Sequence, residues 1–74
     1  MNQKTDEEND LALKIAHNIR QERGHKGWTQ QQLAKASNIR QPNLARLEKG
    51  RRVPTLRFLL KITKAMGIDL RDVL

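Results

Sequence analysis

The sequence predicts a small all-α fold of five helices, and three observations indicate it. Apolar residues recur three and four positions apart along most of the chain, and no strand is evident. Capping residues and glycines punctuate the chain at intervals that suit short helices. Cysteine is absent and aromatic side chains make up only 3% of the 74 residues, so the core must come from helices packed through leucine, isoleucine and alanine.

Residues 1–9 show no apolar periodicity and carry a cluster of acids, so we expect a disordered acidic tail there. The first helix is predicted to begin near Asp10, its N-cap, and to end near Arg23. Its core-facing residues recur at helical spacing: Leu11, Ala12, Ile15, Ala16 and Ile19. The folded domain is therefore expected to span residues 10–74.

Two short helices joined by a tight turn are predicted over residues 29–50. Thr29 is the N-cap of the first helix, and Gln32 can reach back to it in a capping box. Ala34 is small where the second helix would have to cross closely. Asn38 lies in the turn and, after glycine, is the residue type that best adopts a positive φ.

The second of these helices is predicted to have one buried and one exposed face. Leu44 and Leu47 lie on one side at helical spacing, and a rotation of about 100° per residue turns the other side chains outward. Pro42 suits the first turn, where a helix does not use the backbone N–H, and Gly50 ends the helix. The outward side chains are Gln41, Pro42, Ala45, Arg46 and Lys49.

A fourth helix is predicted after a basic loop, with Thr55 as its N-cap and Gly67 at its end. One apolar stripe runs through Leu56, Leu59, Leu60, Thr63 and Met66, and a second runs through Phe58, Ile62 and Ala65. A helix that is apolar over this width is either buried at its middle or covers a partner. Asp69 can cap a last short helix, whose apolar residues are Leu70, Val73 and Leu74.

The positive charge is concentrated in one part of the chain. The formal net charge is +7, but residues 13–68 carry thirteen lysines and arginines against Glu22 and Glu48, a local net of +11. Such asymmetry favours a polyanionic partner, nucleic acid before membrane. No stretch reaches the roughly 18 apolar residues of a membrane helix, and the acidic N-terminus has no apolar signal region. We therefore expect a cytoplasmic protein without a membrane partner.

No residue pattern indicates catalysis. His17 and His25 have no Cys, Asp or Glu at metal-ligand spacing, and no glycine-rich phosphate loop follows a strand. No serine, threonine or lysine has an obvious base beside it. The sequence therefore predicts a protein that is not an enzyme and uses no cofactor and no metal.

The segment TQQQLAKASNIRQPNLARLEKG, residues 29–50, resembles the helix-turn-helix of lambda-repressor-like, Cro and xenobiotic-response-element type DNA-binding domains. The resemblance extends over about residues 11–74, including IRQERG before the motif and VPTLRFLLKITKAMGIDL after it. It implies the compact five-helix fold of that family and binding to double-stranded DNA. Three features depart from the family pattern: Ser37 replaces an apolar residue, Arg40 replaces a Ser or Thr N-cap, and residues 25–27 lengthen a loop.

The resemblance also implies roles for particular residues. In the family, an arginine at the position of Arg20 often pairs with the glutamate matched by Glu48, so an ion pair is expected there. Gln30 resembles a glutamine whose amide meets the DNA backbone. Arg20 and Glu48, with Ala34 and Asn38, are the residues expected to have structural roles.

The second helix of the motif is expected to enter the major groove, with its N-terminal half reading base edges. Gln41 can bind adenine bidentately, and Arg46 can bind guanine with about 1–3 kcal/mol of discrimination. The expected base contacts are Arg40, Gln41, Pro42, Asn43 and Arg46. The expected phosphate contacts are Thr29, Gln30, Lys49, Arg51 and Arg52.

The sequence thus favours a transcriptional regulator, and a repressor because it has no effector domain. One such domain reads only about four or five bases, so a homodimer on a palindromic operator is expected. Its interface is predicted at Leu70, Val73 and Leu74 with part of the fourth helix, although these residues could equally close the core of the monomer.

Three other functions stay open. The QPNLARLE segment is similar to the recognition helix of several antitoxins, which would bind a toxin protein as well as their own promoter. A controller protein of a restriction–modification system would have a neighbouring methyltransferase gene. A pure interaction module would bind RNA or an acidic protein through its basic face, without preference for a DNA sequence.

Overall fold

A computed structural model describes residues 6–74, and this part of the chain forms four α-helices and one 3₁₀ helix. The α-helices are α1 (Asp6–His25), α2 (Gln30–Ser37), α3 (Gln41–Glu48) and α4 (Leu56–Met66), and the 3₁₀ helix is Leu70–Val73. The predicted all-α fold is confirmed, but the fifth helix is a single 3₁₀ turn. Tight 3₁₀ geometry is usual in such short pieces, since four residues complete little more than one turn.

Helix α1 starts earlier than the sequence predicted. It begins at Asp6 rather than near Asp10, so residues 6–9 of the expected tail are helical, and residues 1–5 lie outside the described residues. The first turn consists largely of acids, and carboxylates near a helix N-terminus interact favourably with the helix dipole. This interaction explains how the helix extends beyond its apolar stripe.

The core lies between the four α-helices and is closed by the 3₁₀ helix. The large side chains that are fully buried come from all five elements: Ile15, Ile19, Leu33, Leu44, Ile62, Met66 and Val73. Leu11 was predicted to join the buried stripe of α1 but is exposed, because it precedes the part of α1 that packs on the body. Val73 closes the core of the monomer and is therefore not free for the predicted dimer interface.

The capping signals of α2 and its turn are confirmed. The Thr29 backbone N–H donates to Gln32 Oε1 over 2.8 Å, and the Gln32 N–H donates to Thr29 Oγ1 over 3.1 Å, which completes the capping box. Asn38 adopts the left-handed conformation with φ 57°. Ala34 is buried in the core that α2 and α3 share. These local features fix the angle at which α3 leaves α2.

Gly50 follows α3 and brings the chain directly against α1. Its φ is +70°, as expected for a residue that ends a helix. A Cβ atom at this position would lie 2.9 Å from Leu13 Cδ2 and 3.2 Å from Leu13 Cα. Glycine is therefore required both for its backbone conformation and for the close approach of the two segments.

Helix α4 is covered on one face only. Leu59, Ile62 and Met66 are buried against the core, as the sequence predicted for a helix with a wide apolar surface. Leu56 and Leu60 were assigned to the same apolar surface but are exposed to solvent. Within residues 6–74, no helix is both long enough and apolar enough to cross a membrane.

Candidate nucleic-acid interface

Helix α3 presents its outer face to solvent, as its pattern of residues predicted. Leu44 and Leu47 are buried and hold the helix to the body of the domain. Arg40 is the N-cap of α3 but makes no side-chain capping bond, so its guanidinium stays available for other contacts. All five residues expected to contact bases are exposed: Arg40, Gln41, Pro42, Asn43 and Arg46.

A basic groove of about 590 Å³ lies between the end of α3 and the start of α4. Arg46 and Lys49 line it from α3 and its C-cap, and Arg51 and Arg52 line it from the following loop. Asn43 also lines the groove, so the structure brings three of the predicted phosphate contacts together with two predicted base contacts. Thr55 also lines this groove, although the sequence had indicated it only as a helix cap.

Thr55 places the N-terminus of α4 in the basic groove. Its hydroxyl accepts a hydrogen bond from the Phe58 N–H over 3.2 Å, so the cap is formed as predicted. The first N–H groups of a helix and its dipole favour an anion at this position. A cap three residues after Arg52 was the sequence signal for this additional anion-binding position.

Thr29 and Gln30 lie at the N-terminus of α2, but the amide of Gln30 already has a protein partner. Its Nε2 donates to Glu48 Oε1 over 3.0 Å. A carboxamide nitrogen carries two N–H groups, so the second remains for a phosphate oxygen. Glu48 therefore orients the side chain that was predicted to meet the DNA backbone.

The predicted ion pair between Arg20 and Glu48 is wrong, because Arg23 occupies that place. Arg23 donates from Nε to Glu48 Oε2 and from Nη2 to Oε1, each over 2.9 Å. Its third nitrogen, Nη1, donates to the Trp28 carbonyl oxygen over 2.9 Å. Arg20 instead donates to the main-chain carbonyl oxygen of Glu48, which is one of the unpaired carbonyls at the end of α3. The two arginines are three residues apart on one face of α1, so sequence alone could not rank them.

Glu48 joins three helices at one buried point. Its side chain is paired with Arg23 of α1 and Gln30 of α2, and the residue is only 4% exposed. A bidentate arginine–carboxylate pair fixes geometry as well as charge. Glu48 also contributes no free negative charge to the outer face of α3, so the positive charge of Arg40, Arg46 and Lys49 is not offset by it.

The described residues contain no group of three or more His, Cys, Asp or Glu side chains arranged to hold a metal ion. Apart from the buried carboxylate of Glu48, the polar groups that the fold brings together are amides, hydroxyls and cations. These groups suit recognition of an anionic, hydrogen-bonding surface such as the major groove and its phosphates.

Three comparisons with known proteins place the chain in a family. The family described as "Helix-turn-helix" matches residues 19–73. A protein described as an uncharacterized HTH-type transcriptional regulator of Haemophilus influenzae is 35% identical over 66 residues, which are 89% of this chain and 67% of that protein. The crystal structure of the restriction–modification controller protein C.AhdI from Aeromonas hydrophila matches with a TM-score of 0.81 and 31% identity, over 88% of this chain and 97% of that one. The clp gene regulator ClgR from C. glutamicum matches with a TM-score of 0.79 and 32% identity, over 85% and 82% of the two chains.

Proposed function

Since this chain belongs to the helix-turn-helix family of DNA-binding transcriptional regulators, we propose that it is a repressor that binds a palindromic operator as a homodimer. The exposed face of α3, held from behind by two buried leucines and the Glu48 network, is the observation that supports this proposal. A rigidly supported helix with a polar outer face has the size and chemistry to read the major groove.

In the proposed complex, the N-terminal half of α3 reads base edges. Gln41 binds adenine N6 and N7, and Arg46 binds guanine O6 and N7. Pro42 has no donor and packs against a thymine methyl group. Arg40 and Asn43 contact a neighbouring base or phosphate, since both are exposed at the start of α3.

The phosphates are held on both sides of α3. Thr29 and the free amide N–H of Gln30 meet one strand at the N-terminus of α2. The basic groove meets the other strand through its cations, Lys49, Arg51 and Arg52. Two such domains on one operator would place half-sites about 10 base pairs apart, and their occupancy of a promoter would exclude other proteins.

Selection from a random duplex DNA library at physiological salt tests the proposal. We expect a palindromic motif, and we expect Arg46→Ala to relax one position of each half-site by about 1–3 kcal/mol of discrimination. Lys35→Ala is the matched control, because this exposed cation lies on α2 away from the basic groove. Enrichment without a motif would refute sequence-specific binding.

The phosphate contacts have a separate test in the salt dependence of binding. Arg51→Ala should leave the selected motif unchanged while the slope of log K against log salt becomes shallower. Each lost phosphate contact reduces the slope by about 0.9, so a dimer with two copies of the change loses about 1.8. An altered motif with an unchanged slope would assign Arg51 to base recognition instead.

Control of a restriction–modification system is a second candidate function, favoured by the similarity to C.AhdI over nearly the whole of that chain. This role predicts that the selected motif occurs upstream of neighbouring genes for a methyltransferase and an endonuclease. Absence of the motif from such a position would leave the general repressor proposal as it stands and exclude this narrower one.

A further inference from the structure

The outer face of α4 carries an open groove with an apolar floor and a basic rim. Leu56 is 59% exposed and Leu60 is 47% exposed, and the two lie one helical turn apart. Arg57, Lys61 and Lys64 lie beside them and complete a groove of about 380 Å³, here called the outer α4 groove. The core contacts of α4 use its opposite face, so no described segment of the same chain covers this groove.

The charges of the outer α4 groove restrict what can bind in it. Packing of two copies through α4 alone would bring three cations of one copy against the same three of the other. Like charges placed together across an interface are unfavourable and suppress such pairing. The groove is therefore suited to a helical segment that brings an apolar side chain together with acids.

The beginning of α1 is a segment of this kind. Asp6, Asp10 and Leu13 lie at positions i, i+4 and i+7, so they share one face of the helix. Leu13 is 57% exposed although it is a large apolar residue. Residues 6–11 are all exposed, because the first buried residue of α1 is Ala12. The start of α1 thus projects from the packed body with its acids on the surface.

Most of a helix's stability in a protein comes from packing of its apolar side chains, so the start of α1 would be stabilised by a partner that covers the exposed surface of Leu13. Leu13 lies beside Gly50 of its own chain, but more than half of its surface stays open. The segment therefore remains accessible to a second copy.

We propose that the start of α1 of one copy docks in the outer α4 groove of a second copy. Leu13 packs between Leu56 and Leu60, and Asp6 and Asp10 face the cations of the rim. The same contact in the reverse direction closes a two-fold dimer, which leaves no unpaired end to propagate. Both contacts are needed, since one two-turn helix contact buries less than the roughly 1,200 Å² of a stable interface.

This inference rests on the homodimer of the proposed function but is independent of its DNA sequence preference. It differs from the interface expected from the sequence, of which Val73 is buried in the monomer and Leu74 is 45% exposed. In this dimer the apolar contacts supply most of the affinity, and the charges select the orientation, because exposed ion pairs contribute little free energy.

Two charge-reversed variants of the full chain test the contact by sedimentation equilibrium without DNA. One variant is Asp6→Lys with Asp10→Lys, and the other is Arg57→Asp with Lys61→Asp. Each variant alone should raise the dimer dissociation constant by more than about tenfold, because like charges then meet at both contacts. A mixture of the two variants should restore the affinity, since opposite charges meet at both contacts of the mixed dimer.

Lys35→Asp serves as the matched control, because it reverses an exposed charge on α2 outside both surfaces, and circular dichroism checks that every variant is folded. A mixture that stays monomeric, or a single variant that dimerises like the wild type, would overturn the proposed contact but not the proposed homodimer. A wild-type chain that is monomeric throughout a micromolar series would overturn both the contact and the homodimer. The DNA selection would then show a single half-site, which separates this failure from a failure of DNA recognition.

Discussion

Replacing Glu48 by alanine should strongly destabilise the domain, because this residue joins three helices. The change removes both hydrogen bonds to Arg23 and the bond to Gln30. The Arg23 side chain is only 20% exposed, so its guanidinium would be left with much of its charge out of water and no anion beside it. Removal of one partner of such a buried pair costs about 3–5 kcal/mol.

This loss is large relative to the stability of the whole domain. A chain of 74 residues has a free energy of unfolding of about 4–11 kcal/mol. A loss of about 3 kcal/mol lowers the Tm of a domain of this size by about 12–24 °C. Thermal and urea unfolding followed by circular dichroism would measure the loss, and the wild type must be measured under the same conditions.

Two comparisons make this prediction specific. Glu22→Ala on α1 makes the same change in charge without breaking any of these bonds, so its effect should stay within about 0.5 kcal/mol. Arg23→Ala should destabilise the domain much more than Arg20→Ala, because Arg23 pairs with the Glu48 carboxylate whereas Arg20 donates to a main-chain carbonyl. If Glu48→Ala unfolds like Glu22→Ala, or if Arg20→Ala costs more than Arg23→Ala, the reasoning is refuted.

Two further predictions concern one position where the fold requires glycine and one where a buried hydroxyl does not stabilise the fold. Gly50→Ala should lower the free energy of unfolding in urea by about 3 kcal/mol, because backbone strain at φ +70° adds to the clash with Leu13. Gly67→Ala is the control: its φ is +68° but no atom lies within 4 Å of the added Cβ, so the loss should be about 1 kcal/mol. Equal losses at the two glycines would show that the close approach is unimportant. Ser37→Ala should raise the free energy of unfolding in urea by about 1 kcal/mol, since Ser37 Oγ is buried and has no hydrogen-bond partner among residues 6–74. A decrease would show that the hydroxyl is satisfied in solution.

The helix boundaries at α2, α3 and α4 could be predicted because their signals are local. The Thr29 capping box, the positive φ of Asn38 and the cap at Thr55 each depend on residues within three or four positions of one another. The start of α1 was missed because its signal is different in kind. Acids at a helix N-terminus stabilise a helix without any apolar repeat, so periodicity alone placed the beginning of the helix too late.

The exposed face of α3 could also be predicted, since two leucines at helical spacing decide which side turns inward. Its partners could not be predicted in the same way. Thr55 joins Arg46 in the basic groove only because the loop after Gly50 returns the start of α4 to the end of α3. The number of residues between Arg46 and Thr55 does not determine how close the two side chains lie in space.

The sequence by itself determined the helical class, the turn between α2 and α3, the outward residues of α3 and the positive charge around them. These properties follow from side-chain chemistry and from the fixed rotation of a helix, which operate over a few residues. Only the tertiary structure decided that Arg23 rather than Arg20 pairs with Glu48, that Val73 belongs to the core, and that Leu56 and Leu60 remain uncovered. Each of these depends on how far one helix slides or turns against another, and a shift of a single helical turn exchanges one candidate residue for the next.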